Sequence, residues 1–189
     1  VYTKLSENDL KSFFEKYDLG KVLVYKGIKE GIENTNYFIQ TNKGKYILTI
    51  YEKRVQEKDL PFFLGLMKNL FDKSFPSPEP IINKNGNYVS EILNKKAAII
   101  SFLSGRSKKN LSPENCRSVG MQAAKLHTIT KNLSVRRENR LSVNSWRNFY
   151  KKVQKDCSKI HPNLSKIIET NLDEIETNWP KNIPAGIIH

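Results

Sequence analysis

The stretch Tyr37-Phe38-Ile39-Gln40-Thr41-Asn42-Lys43-Gly44-Lys45-Tyr46-Ile47-Leu48-Thr49-Ile50-Tyr51 decides the fold class. Runs rich in β-branched and aromatic residues flank Asn42-Lys43-Gly44-Lys45, where Asn and Gly accept the positive φ of a tight hairpin turn. A period of two places Ile47, Thr49, Tyr51 and Lys53 on one face of the second run. Tyr46, Leu48 and Ile50 take the other. Upstream, Val22-Leu23-Val24-Tyr25 supplies a further strand before a polar stretch with Gly27 and Gly31, so three antiparallel strands are expected over roughly 21–53.

On the N-terminal side, Ser6-Glu7-Asn8-Asp9 sets a hydroxyl three residues ahead of a carboxylate, a variant of the capping box. Leu10, Phe13, Phe14 and Tyr17 follow at helical spacing and Gly20 comes next, which predicts an amphipathic helix over 6–18. On the C-terminal side, Leu60, Phe63, Leu64, Met67, Leu70 and Phe71 predict a second helix over 57–72. Pro76, Pro78 and Pro80 then force an extended connection. Ile81-Ile82, Tyr88-Val89 and Ala97 to Phe102 read as further strands, with a turn at Asn83-Lys84-Asn85-Gly86.

Composition changes at residues 103–111, a polar segment that reads as a hinge or linker. Beyond it Ser112-Pro113-Glu114 opens a helix reaching about Lys131, with Pro at its first position. Two more helices are expected around 145–158 and 163–178, separated by His161-Pro162. The expected organisation is therefore α+β: a sheet-bearing N-terminal lobe over 1–102, a hinge over 103–111, and an incomplete helical lobe over 112–189. The last residues, Gly186-Ile187-Ile188-His189, look like the approach to a buried strand, so the chain reads as cut in mid-domain, with oligomerisation through uncovered apolar surface an expected consequence.

Composition limits the function classes. Of 189 residues, 38% are hydrophobic and 27% charged, enough for a packed core. No run approaches the roughly 18–20 apolar residues of a membrane span, and Val1-Tyr2-Thr3-Lys4 does not open a secretory signal. Cys116 and Cys157 are far apart without close Cys or His partners, which supports neither a disulfide framework nor a zinc site. A reduced, cytoplasmic protein is expected. Subtracting 19 Asp and Glu from 32 Lys and Arg leaves +13. A nucleic-acid-binding module is the reading from another class, but it needs the basic residues gathered on one surface, and they are scattered.

A small mixed lobe, a linker after an apolar strand, and a helical lobe resemble the protein-kinase-like phosphotransferases. The chain resembles in particular the aminoglycoside-phosphotransferase/choline-kinase superfamily, and within it the bacterial homoserine-kinase branch. The likeness lies in Gly31 to Phe38, Tyr46 to Arg54, Asp59 to Met67, Ser101-Phe102-Leu103-Ser104-Gly105, Leu126-His127 and Pro184 to His189. It implies a kinase that uses ATP and Mg2+ to phosphorylate a small-molecule hydroxyl, that of L-homoserine on the way to threonine. A choline or aminoglycoside kinase of the same superfamily is the near alternative.

The resemblance also implies roles. Gly31, Asn34, Thr35 and Asn36, with Gly27, would offer phosphate-binding donors at a strand-to-strand turn, although Gly and Asn are also what ordinary turns use. Ile47 would roof the adenine. The superfamily's usual Lys or Arg position holds Thr49 here, so Lys53, ahead of Arg54, is the first candidate for the cation that reaches the phosphates; a solvated lysine at a strand end explains it equally. Glu57, or Asp59, would orient that cation, and each is also a routine first-turn acid. Ser101, Phe102 and Leu103 would read the adenine edge. His127 is expected to pack, as are Trp146, Phe149 and Tyr150, with an acceptor-pocket wall as their minor reading. In the superfamily an Asp two residues after the His is the catalytic base and an Asn helps hold the metal. By that comparison the base lies beyond His189, and neither catalytic nor metal-ligating residues fall within the chain supplied.

Overall fold

A computed structural model describes residues 2–29, 33–52, 55–183 and 186–187. They form two compact units, one of Val1–Arg136 with Ile187 and one over Arg137–Gly186.

The first unit is built on helix α1 (Glu7–Phe14), strands β1 (Val22–Ile28), β2 (Asn34–Thr41) and β3 (Lys45–Tyr51), and helix α2 (Leu60–Asp72). Strands β4 (Pro80–Ile81), β5 (Val89–Ile92) and β6 (Lys95–Ser101) and helix α3 (Pro113–Thr130) complete it. The sheet runs β1-β2-β3-β6-β4 with β5 paired on β6, and every pairing is antiparallel. The expected hairpin is present: β2 and β3 pair in register from Asn34 opposite Tyr51 to Gln40 opposite Lys45.

One sheet face is covered by α1. Ser6 caps that helix, its hydroxyl accepting from the Asp9 N–H while the Asp9 carboxylate accepts from the Ser6 N–H. Leu10, Phe13, Phe14 and Tyr17 then pack on Tyr37, Ile39, Leu48, Ile50, Ala97 and Ile99. Burial alternates strictly along β2, with Thr35, Tyr37, Ile39 and Thr41 inside. The opposite face is half-open. Registers put Asn36 across from Thr49, Phe38 across from Ile47, and Ile47 and Thr49 across from Ile100 and Ala98. Residues that face one another across a ladder point the same way, so these six line one surface.

The second expected helix begins as a 3-10 turn, Glu57–Asp59, before α2. Residues 103–111 are exposed and form neither helix nor strand. Ser112 and Asn115 make a reciprocal capping box for α3, and α3 is tied to the end of α2 by Lys73 Nζ donating to the Ile129 carbonyl at 3.0 Å. His127, expected to pack, is exposed.

The second unit pairs α4 (Val143–Val153) with α5 (Leu164–Asn178) through a 3-10 segment, Gln154–Lys159. Tyr150, Cys157 and Leu172 form its small core with Trp146, Leu164 and Ile168, while Phe149, expected inside, is exposed. Arg147 holds Asp173 and Glu176 at 2.7 Å each. Of the expected terminal strand, Gly186 and Ile187 have no regular structure; Pro184, Ala185, Ile188 and His189 lie outside the described residues.

Candidate nucleotide site

The open face combines an apolar floor with polar groups at one end. Phe38, Ile47 and Ile100 are half-buried, and the Phe102 ring meets Phe38 edge-on, centroids 5.3 Å apart. Such a surface suits a flat heteroaromatic ring, which gains from apolar burial and from edge contacts with aromatic side chains. Toward the β2 end, Thr49 Oγ1 donates to Asn36 Oδ1 at 2.9 Å, which leaves the Asn36 amide nitrogen oriented by a bond on its other end. Asn34 Oδ1 is buried without a partner among the described residues. The Tyr51 phenol beside it in the β2–β3 register is pushed up to about 12 by burial, so it stays protonated at neutral pH.

Thr35 needs a correction. Its side chain projects to the α1 side and is fully buried. Thr35 Oγ1 accepts from the Tyr2 and Thr3 N–H groups at 2.9 and 3.0 Å and donates to Glu52 Oε1 at 2.8 Å. A hydroxyl so engaged has no donor for a phosphate. Gly27, placed at the turn by sequence, is inside β1 opposite Tyr37. Gly31, Lys53 and Arg54 lie outside the described residues.

The hinge is also narrower than expected. The Ser101 N–H donates to the Glu79 carbonyl at 2.8 Å and the Phe102 N–H to the Lys45 carbonyl at 3.1 Å, while Ser101 Oγ accepts from the Glu79 N–H at 2.8 Å. Both N–H groups are consumed in holding β6 to its neighbours. Leu103 keeps an N–H without a partner among the described residues, and its side chain is half-exposed.

Of the two acids proposed from sequence, Asp59 is buried, and Glu57 faces a cation that sequence reading missed. Lys96 Nζ lies 3.7 Å from Glu57 Oε2 and also binds Glu91. The hydrogen bond to Glu91, together with Glu57, raises the Lys96 ammonium above its ordinary range despite partial burial. Lys96 precedes Ala98 by two residues, so it shares the open face with Thr49. The link to Glu57 spans 39 positions (96 minus 57) and no local spacing announces it. Among the described residues no group of three or more His, Cys, Asp or Glu is arranged to hold a metal ion. A cavity of about 630 Å3 lies between α1 and β1, lined by Leu10, Phe14, Val22 and Tyr25. It is on the far side of the sheet from the groups above.

Residues 24–189 match the phosphotransferase enzyme family. The chain belongs to that family. Over all 189 residues it is 42% identical to a homoserine kinase of Beijerinckia indica and 40% identical to one of Agrobacterium fabrum, covering 59% of the length of each. The chain thus spans about three-fifths of the curated relatives it matches. Among solved structures, a spectinomycin phosphotransferase bound to ADP and spectinomycin superposes with a TM-score of 0.65 at 13% identity, over 97% of this chain and 60% of that one. A microcompartment-associated aminopropanol kinase gives 0.58 at 13%, over 75% and 48%. These likenesses establish the fold: an antiparallel sheet with helices, as in the N-terminal part of protein-kinase-like phosphotransferases. No described helix is long and apolar enough to cross a membrane.

Proposed function

We propose that this chain is the nucleotide-binding portion of a cytoplasmic kinase that transfers the γ-phosphoryl group of ATP to the hydroxyl of L-homoserine. The observation that carries the reading is identity of about 40% with homoserine kinases along the whole chain, joined to an open sheet face of the right chemistry. In the reaction the acceptor oxygen bonds to the γ-phosphorus, the bond from that phosphorus to the β-γ bridging oxygen breaks, and ADP leaves. The hydroxyl proton passes to a carboxylate supplied by residues beyond those described.

Positioning and charge neutralisation supply most of such catalysis. In this reading Ile47, Ile100, Phe38 and Phe102 enclose the adenine, the Leu103 N–H meets its edge, and the Asn34 and Asn36 amides approach the phosphates. Lys53 and Lys96 are the candidate phosphate cations, with Glu57 setting the position of Lys96. Mg2+ bound with the nucleotide would offset the negative charge of the phosphates.

The test is ADP release by the whole protein with homoserine, choline and spectinomycin supplied side by side. Turnover with homoserine alone is expected. Turnover with choline or spectinomycin and none with homoserine reassigns the acceptor. Stabilisation by a short oligonucleotide in place of ATP, with steep salt dependence, would favour the nucleic-acid module.

A further inference from the structure

On the α1 side of the sheet, beside the backbone of residues 2–5, four polar side chains form a closed network. Glu52 Oε1 accepts from Thr3 Oγ1 at 2.6 Å and from Thr35 Oγ1 at 2.8 Å. Glu52 Oε2 accepts from Lys95 Nζ at 2.5 Å, and the same ammonium donates to Thr3 Oγ1 at 2.7 Å. The backbone ahead of α1 is bound into it: Tyr2 and Thr3 donate to Thr35 Oγ1. Tyr37 OH donates to the Thr3 carbonyl at 2.9 Å and accepts from the Leu5 N–H at 3.1 Å.

The placement is informative. Thr35 lies between Asn34 and Asn36, whose side chains take the open face. Glu52 follows β3 directly and precedes Lys53 in sequence. Each segment expected to approach the phosphates therefore carries one rear-face anchor, and the two anchors are bonded to each other. The Lys95–Glu52 pair is only part-buried, its ammonium 39% exposed, and such a pair is weak evidence of a stabilising role. A fully satisfied polar network instead fixes one arrangement among several of similar packing.

We propose that residues 2–5, with Thr35, Glu52 and Lys95, are a latch that sets the spacing of the two nucleotide-facing segments. They are positioning residues and do not touch ATP. The inference rests on reading the open face as the nucleotide site.

The experiment measures ATP dissociation constants by calorimetry and steady-state kinetics on the whole protein. Thr35→Val removes the bond between the anchors while keeping shape. It should weaken ATP binding and raise KM for ATP by roughly tenfold, within the range that small misplacements produce, with kcat and the acceptor KM little changed. Thr35→Ser should restore wild-type values. A lowered melting temperature with unchanged ATP affinity would make the latch merely structural and overturn the inference. If Thr35→Val does not fold, Thr3→Val is read in the same way, and unchanged ATP affinity there overturns it. Wild-type protein that binds no ATP overturns the nucleotide-site reading and this inference together. Binding by wild type, unaltered in the variants, overturns the inference alone.

Discussion

Glu52 shows how a single carboxylate carries charge inside the fold. Burial pushes its pKa up, but the combined hydrogen bonds from Lys95, Thr3 and Thr35 and the Lys95 charge outweigh burial and hold it below the usual carboxylate range. A folded-state pKa below the unfolded value of about 4.3 gives stability that is complete above that value and lost as pH falls through the folded pKa. Urea unfolding between pH 6 and pH 3 should therefore lose more free energy in wild type than in Glu52→Gln. Parallel pH profiles for the two would refute a stabilising charge at this site. The comparison needs the variant because Asp9, Asp18 and Glu91 are also depressed and weaken in the same window. Single residues were the least legible level of the sequence. Thr35 was readable in principle: extending the alternation of buried Tyr37 and Ile39 by one step puts it inside. The Ser101 and Phe102 N–H groups were not, because their acceptors, Glu79 and Lys45, are distant in sequence.

Among elements, the hairpin of β5 and β6 holds a local conflict. Its two turn residues, Leu93 and Asn94, have φ of 48° and 59°, the left-handed values of a type I′ turn. Asn tolerates them, whereas a Leu side chain crowds its own backbone there, and Leu93 is half-exposed with little burial in return. Leu93→Asn should stabilise the protein by about 1 kcal/mol in chemical denaturation, the lower end of the left-handed penalty. No gain would mean that Leu93 has packing not visible in its exposure. Elements were the most legible level. The Ser6 capping box and the Ser112 N-cap followed by Pro113 are local patterns that survive in the structure, as does the face alternation of β3. The ends were less so, since 3-10 turns at Glu57–Asp59 and Gln154–Lys159 replace parts of predicted helices.

At the level of the molecule, the +13 charge does not by itself indicate a polyanion partner. Pairs such as Lys43 with Asp18, Lys95 with Glu52, and Lys159 with Asp156 engage single lysines of both units and leave the surplus itself unchanged; only its gathering on one surface would point to such a partner. Exposed apolar residues on α3, including Val119 and Met121, show why helical spacing alone did not reveal which residues are covered. Lys96, whose partner Glu57 is distant in sequence, joins Lys53 among the proposed phosphate cations. The proposal that unites these observations is an adenine nucleotide on the open face of the sheet. Hydrogen–deuterium exchange of the whole protein with and without a non-hydrolysable ATP analogue reads this directly. Slowed exchange should appear at Asn34–Phe38, Lys45–Thr49 and Leu103, with the α1–β1 cavity unaffected. Protection confined to α1 and β1, or none at all under saturating nucleotide, would contradict it.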